Sequence, residues 1–126
     1  MGKSSQRKGA LGERELASIL KTHGYDCTRG GSLSFGEVPD LSGLPGIHIE
    51  VKRVKKLNVV EAMEQSIRDS EQMFGGVPTL FHRRNRKPWL VTMRLEDWLM
   101  LYNDAIGKQK ASEKVKNGDG YAPTKH

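Results

Sequence analysis

The chain has 126 residues, one cysteine and a formal net charge of +6, a length that suits one domain able to bury a core without disulfide staples. The lone Cys27 excludes an internal disulfide, and neither end shows a secretory pattern or a long apolar run, so a reducing cytoplasm is the expected setting. The charge favours a polyanionic partner without separating nucleic acid from an acidic membrane surface.

Between Gly9 and His23, Leu11, Leu16, Ile19 and Leu20 recur at helical spacing and Gly24 supplies a stop, which predicts a first helix with these residues on its buried face. Tyr25 to Arg29 reads as a strand, followed by a Gly-rich loop that leads to Pro39-Asp40. Pro45-Gly46 reads as a chain reversal, and Ile47 to Arg53 alternates cleanly as the strongest strand in the chain. Asn58 with Glu61 three residues later matches a helix N-cap and capping box. A second helix is therefore predicted to about Phe74, with Val60, Met63 and Ile67 on its apolar stripe and Gly75-Gly76 ending it. Val77 to His82 and Pro88 to Met93 read as strands joined by a basic turn from Arg83 to Lys87. Leu95 to Ile106 completes the pattern as a third helix, with Leu95, Trp98, Leu99 and Tyr102 buried. Beyond Gly107 the chain is polar and is expected to be a flexible basic tail, residues 108–126, after a folded domain of residues 1–107. The order of helix, three strands, helix, two strands, helix and tail predicts an α/β fold, a sheet covered by helices.

The chemistry gathers around Glu50-Val51-Lys52. Side chains alternate along a strand, so Glu50 and Lys52 share one face while Ile49 and Val51 point to the core. The reversal at Pro45-Gly46 brings Asp40 back beside Glu50. A hard divalent cation such as Mg2+, with Mn2+ as an alternative, binds oxygen ligands and keeps several waters, so Asp40, Glu50 and the Val51 carbonyl suit such an ion with a substrate phosphate. Lys52 is then placed to orient an attacking water, to hold the phosphate or to stabilise developing negative charge. His48, Glu50 and Lys52 must face solvent, a cleft or each other. The four histidines lack the tight spacing of zinc ligands, so a structural zinc site is not expected. Trp89 and Trp98 are assigned to core packing. Two basic clusters, Lys52, Arg53, Lys55 and Lys56, and Arg83, Arg84, Arg86 and Lys87, suit phosphate contacts, and the lysines from Lys108 onward suit solvation.

These residues together resemble the PD-(D/E)XK nuclease superfamily and, within it, the archaeal-type Holliday-junction resolvases and their viral relatives. The resemblance runs from Lys8-Gly9-Ala10-Leu11-Gly12-Glu13-Arg14-Glu15-Leu16 through Arg29-Gly30-Gly31-Ser32 and Pro39-Asp40-Leu41 to Ile49-Glu50-Val51-Lys52, and weakly on to Leu101. It implies a restriction-endonuclease-like central mixed β-sheet flanked by α-helices. It also implies a magnesium-dependent endonuclease acting as a homodimer on four-way or other branched DNA. By the resemblance Glu13 is a third acidic residue of the metal site, with Glu15 close enough to compete. Ser32, or alternatively Ser34, is a loop serine contacting substrate near the scissile phosphate, and Gln65 orients water or phosphate. Arg29 joins Arg53, Lys55, Lys56, Arg83, Arg84, Arg86 and Lys87 as expected DNA contacts. A VRR-NUC-type, flap or nicking nuclease of the same superfamily, and a non-catalytic DNA-binding protein on a nuclease fold, are the competing readings.

Overall fold

The computed structural model describes residues 3–30, 40–72 and 75–116, with side chains described within 9–113. The elements follow the predicted order: α1 (Lys3–Thr22), β1 (Thr28–Arg29), β2 (Leu41–Ser42), β3 (Ile47–Arg53), α2 (Val59–Gln72), β4 (Val77–Arg83), β5 (Leu90–Thr92) and α3 (Leu95–Lys116). The chain divides into two compact units between Met93 and Arg94. In the first, the strands form one sheet in the order β1-β2-β3-β4-β5. Only β3 and β4 run parallel, and α2 is the crossover that such a pair requires. The sheet is therefore mixed.

The reversal before β3 is built as the sequence predicts. The Ile47 amide donates to the Leu44 carbonyl at 3.0 Å, and Gly46 sits at φ +84°, a conformation that glycine adopts without steric cost. The turn sets Leu41 opposite Ile49, so β2 returns along β3. At the start of α2 the Asn58 side-chain oxygen accepts from the Glu61 amide at 3.1 Å, the cap expected from its sequence.

Both faces of β3 are covered. On one, Leu16 of α1 packs with Leu41, Ile49 and Val51, joined by Ala17, Leu20, Phe81 and Trp89. On the other, Ala62 and Met63 of α2 pack on Leu80, whose register partner on β3 is Glu50. Gly12 permits the first of these contacts, because a Cβ there would stand 2.9 Å from the Arg53 Cβ. A three-part tie reinforces it: the Glu15 carboxylate of α1 accepts from Arg83 of β4 and from Trp89 Nε1 at 2.9 Å, and pairs with Arg53 of β3 at 3.4 Å. Cys27 is buried, and burial together with the Asp26 charge pushes its thiol pKa up.

Several sequence expectations are corrected. α1 begins at Lys3 rather than Gly9, and the strand expected from Tyr25 is only Thr28–Arg29. Leu11, Ile19 and Val60, expected on buried faces, are exposed. The helical stripe is narrower than the apolar spacing suggests, since small residues such as Gly12, Ala62, Ser66 and Ser70 occupy much of the contact. In the second unit, α3 continues to Lys116 through residues expected to lack fixed structure. Polar, non-breaking residues such as Lys108 and Gln109 are compatible with a solvated helix, so low hydrophobicity alone was a poor stop signal. Leu95, Trp98, Leu99 and Tyr102 are exposed rather than buried, with the Trp98 and Tyr102 rings stacked at a centroid distance of 5.2 Å. Phe74 and residues 117–126 lie outside the described residues.

Two glycines of α1 should respond to alanine with opposite signs. Gly12→Ala is expected to lower stability by about 1–2 kcal/mol, because the clash with β3 exceeds the gain in helix propensity. Gly9→Ala, with nothing within 4 Å of the added methyl, should raise it by about 0.5–1 kcal/mol, both read from urea unfolding midpoints.

Candidate active site

The sheet brings Asp40 and Glu50 together at the point where the β2–β3 ladder ends. The Asp40 amide donates to the Ile49 carbonyl at 2.9 Å, and the Asp40 Oδ2 atom accepts from the Val51 amide at 2.8 Å. A strand residue sends its N–H and C=O to the same side, so the Val51 carbonyl also projects towards the Asp40 edge. Asp40 and the Val51 carbonyl thus share one edge of β3, and the Glu50 carboxyl on the adjoining face is hydrogen-bonded to Asp40, so the three groups expected to hold a cation are neighbours.

Glu50 is 7% exposed, and this decides its electrostatics. Burial, the neighbouring Asp40 charge, and a hydrogen bond with Asp40 push its pKa up to about 8, with Asp69 adding to the rise and the Lys52 ammonium opposing it. Lys52 Nζ lies 3.9 Å from Glu50 Oε2. The alternation of the strand does place both side chains on one face, but α2 covers most of that face. His48 and Glu50 are buried beneath the helix and Lys52 is partly exposed. The polar residues of this face thus meet one another under the helix, and Lys52 also borders a recess of about 220 Å³ lined by Asn58, Glu61 and Gln65, with Leu57 and Ala62. Gln65 therefore borders the same space as Lys52.

The two glutamates of α1 separate cleanly. Glu15 is occupied by the Arg83, Trp89 and Arg53 tie. Against the upward push of burial, the hydrogen bonds from Arg83 and Trp89 and the charges of Arg83 and Arg53 hold its pKa below the usual carboxylate range. Glu13 accepts instead from Arg29 Nε at 2.8 Å, which links α1 to β1. Among the described residues its hydrogen bond goes to Arg29 rather than to a member of the Asp40–Glu50 pair. Ser32, Ser34 and Pro39 lie outside the described residues.

The basic residues divide in the same way. Arg29, Arg53 and Arg83 are engaged by carboxylates of α1. Lys55, Lys56, Arg84 and Lys87 instead line a recess of about 510 Å³ with Leu57, Val59, His82, Arg83, Pro88 and Leu90. Arg86 stands exposed in the adjacent turn. The clusters following β3 and β4 meet there because the two strands are parallel partners and end together. His82 at its wall shares a 2.8 Å hydrogen bond with Thr92 Oγ1 of β5, and burial lowers its pKa.

Two site neighbours were missed in the sequence. Asp69 of α2 approaches Glu50 and His48, and Glu61 borders the Lys52 recess. A usable signal existed: Gln65 and Asp69 are four residues apart and so lie on one helical face. Trp89, assigned to packing, does pack against the core, but it also donates to Glu15.

With this geometry in place, comparison with known proteins is informative. The model of the archaeal Holliday junction resolvase (Hjc) family matches residues 4–117. Among solved structures, the chain is similar to the Hjc Holliday junction resolvase of Archaeoglobus fulgidus, an archaeal hyperthermophile. The match has 25% sequence identity and a TM-score of 0.52, covering 68% of this chain and 72% of that chain. Among curated proteins no match was found.

The raised pKa of Glu50 has a signed consequence for the metal-free protein. Because the folded state holds this proton up to about pH 8 while the unfolded chain releases it near its ordinary value, stability contributed by this group is complete at low pH and is lost as pH rises through that interval. Glu50→Gln removes the loss. In the presence of a chelator, the variant should gain stability over the parent steadily from about pH 5 to about pH 8 and then level off, by on the order of a few kcal/mol, measured by denaturant unfolding at each pH.

Proposed function

The chain belongs to the archaeal Holliday junction resolvase family, metal-dependent nucleases that resolve four-way DNA junctions, and from that premise we propose how its own residues share the work. The observation that carries the reading is the Val51 amide bond to Asp40, which holds a carboxylate beside buried Glu50. The donor set fits a hard divalent cation: two carboxylates and a backbone carbonyl, all oxygen, with Mg2+ the preferred ion and Mn2+ able to replace it. When bound, such an ion supplies Lewis acidity and charge neutralisation at the phosphodiester.

The protein's own part is to position and to neutralise. Asp40 and Glu50 would hold the ion, Glu50 as its deprotonated carboxylate, the form in which such ligands bind. Lys52, on the strand face of Glu50 with its ammonium 3.9 Å from that carboxylate, orients the attacking water and offsets the negative charge that grows on the phosphate oxygens as the phosphorus–oxygen bond breaks. Gln65, across the recess from Lys52, contributes a neutral hydrogen-bonding group to the same water or phosphate. Glu13, anchored by Arg29, assists from α1 through water, and Ser32 contacts the substrate near the scissile phosphate. Lys55, Lys56, Arg84, Arg86 and Lys87 track the phosphates of a duplex arm. Arg29, Arg53 and Arg83 reach DNA only in addition to their ion pairs with α1. A four-way junction has approximate two-fold symmetry, so a homodimer gives each of the paired incisions its own site.

Asp40→Asn and Glu50→Gln are each expected to abolish Mg2+-dependent cleavage of a four-way junction while retaining junction binding. Flap and linear duplex DNA should be cut far more slowly by the parent, and sedimentation of the junction complex should show two chains. Undiminished cutting by either variant would remove the metal assignment; equal cutting of all three DNAs would remove the specificity.

Replacing Arg84 and Lys87 together by alanine should weaken binding to every junction sequence alike. It should also reduce the slope of log affinity against log salt by about 2, since each lost phosphate contact leaves roughly one counterion unreleased. An unchanged slope in a salt titration would make the recess merely solvated.

A further inference from the structure

α2 brings to the buried face of β3 a carboxylate that the Asp40–Glu50 pair does not need. One ring nitrogen of His48, one carboxylate oxygen of Glu50 and one of Asp69 all lie within 4.8 Å of one another. His48 is 2% exposed and Glu50 7%, whereas Asp69 is only partly buried and leaves an approach from solvent. The His48 Nε2 atom is closed off from solvent and has no hydrogen-bond partner among the described residues. Buried polar atoms are almost always satisfied, so an unpartnered imidazole nitrogen on a residue grouped with two carboxylates calls for a missing partner. The Ser66 Oγ atom, on the same helix three residues before Asp69, is enclosed and unpartnered as well.

A proton shared between His48 and a carboxylate would be the simplest way to satisfy this cluster. Yet among the described residues no hydrogen bond or ion pair joins His48 to Glu50 or Asp69. A cation suits the spacing better, because ligands around an ion converge on a common centre rather than on each other. The donor chemistry then selects the ion. Imidazole suits ions such as Zn2+, Fe2+ and Ni2+ and carboxylates suit Mn2+, so a mixed set accepts a transition-metal ion, Mn2+ included, more readily than Mg2+, which prefers oxygen ligands and its own waters.

We propose that His48, Glu50 and Asp69 form a second divalent-cation site, joined to the Asp40–Glu50 site through Glu50, that takes a transition-metal ion such as Mn2+ in preference to Mg2+. The site deepens the metal centre proposed above and rests on Glu50 serving as a ligand there, but His48 and Asp69 belong to it alone. Three protein ligands leave further coordination positions open, so the second ion is held without being enclosed.

The test is Mn2+ binding to the full chain, followed by calorimetry and by electron paramagnetic resonance, with electron spin-echo modulation reporting nitrogen ligands. The parent should bind two Mn2+ ions, one showing imidazole nitrogen modulation, and excess Mg2+ should displace the other ion first. His48→Gln should abolish the nitrogen signal, and both it and Asp69→Asn should weaken that ion on the order of tenfold or more. Asp69 is partly exposed, so its variant keeps the test sound if the buried His48 position does not tolerate change; thermal unfolding of each variant identifies any loss of fold. A single Mn2+ ion that is lost in Asp40→Asn, but carries no His48-dependent nitrogen signal and is unaffected by Asp69→Asn, overturns the second site and leaves the first standing. Absence of any bound Mn2+ overturns both.

Discussion

The amide of Val51 can bond to a neighbouring strand or to a side chain, and here it bonds to the Asp40 carboxylate at 2.8 Å. That choice ends the β2–β3 ladder and starts the site. Had β2 continued, its backbone would have taken the Val51 amide and displaced the carboxylate from the edge of β3. Instead the turn at Pro45-Gly46 fixes the register at Leu41 and Ile49, and the next residue back, Asp40, falls beside Glu50. The same short loop geometry that builds the sheet thus sets the separation of the two acids, while the covering of β3 on both faces removes water from Glu50. The result is a carboxyl group that resists ionisation.

Holding α1 in place engages part of the chain's basic charge. Glu15 draws Arg53 and Arg83 from two strands, and Glu13 draws Arg29 from a third. These pairs are partly exposed, so each contributes modestly to stability; their combined effect is chiefly on position, tying one helix to three strands. Lys55, Lys56, Arg84 and Lys87, which have no such tie to α1 among the described residues, collect around one recess.

What could be read from the sequence was local. β3 was legible to its end residues because its alternation extends over a full strand, and the Asn58 cap and the Pro45-Gly46 turn were legible because each is satisfied by its own near neighbours. The proximity of Asp40 and Glu50 followed from that turn. The fate of the Glu50 face did not, since alternation separates two faces but does not say what covers either. Only the parallel pairing of β3 with β4 reveals that α2 must lie over it, bringing Asp69 and burying His48. Charge clusters in sequence do not show which members are paired, so the ties of Arg53 and Arg83 to Glu15 were not legible there. Leu11, Ile19 and Val60 misled for a related reason: apolar spacing marks a possible face, whereas the small residues beside it decide where two elements approach.

Cys27 carries a separate consequence for the chemistry of the whole chain. The attacking species of a cysteine is the thiolate, and burial with a nearby carboxylate keeps this thiol protonated and out of reach. The native surface of the described residues is accordingly silent towards thiol-directed reagents. A single cysteine introduced at an exposed position such as Asn85, in the turn between β4 and β5, would be the one fast-reacting group, giving a site-specific attachment point beside the basic recess without removal of the natural residue.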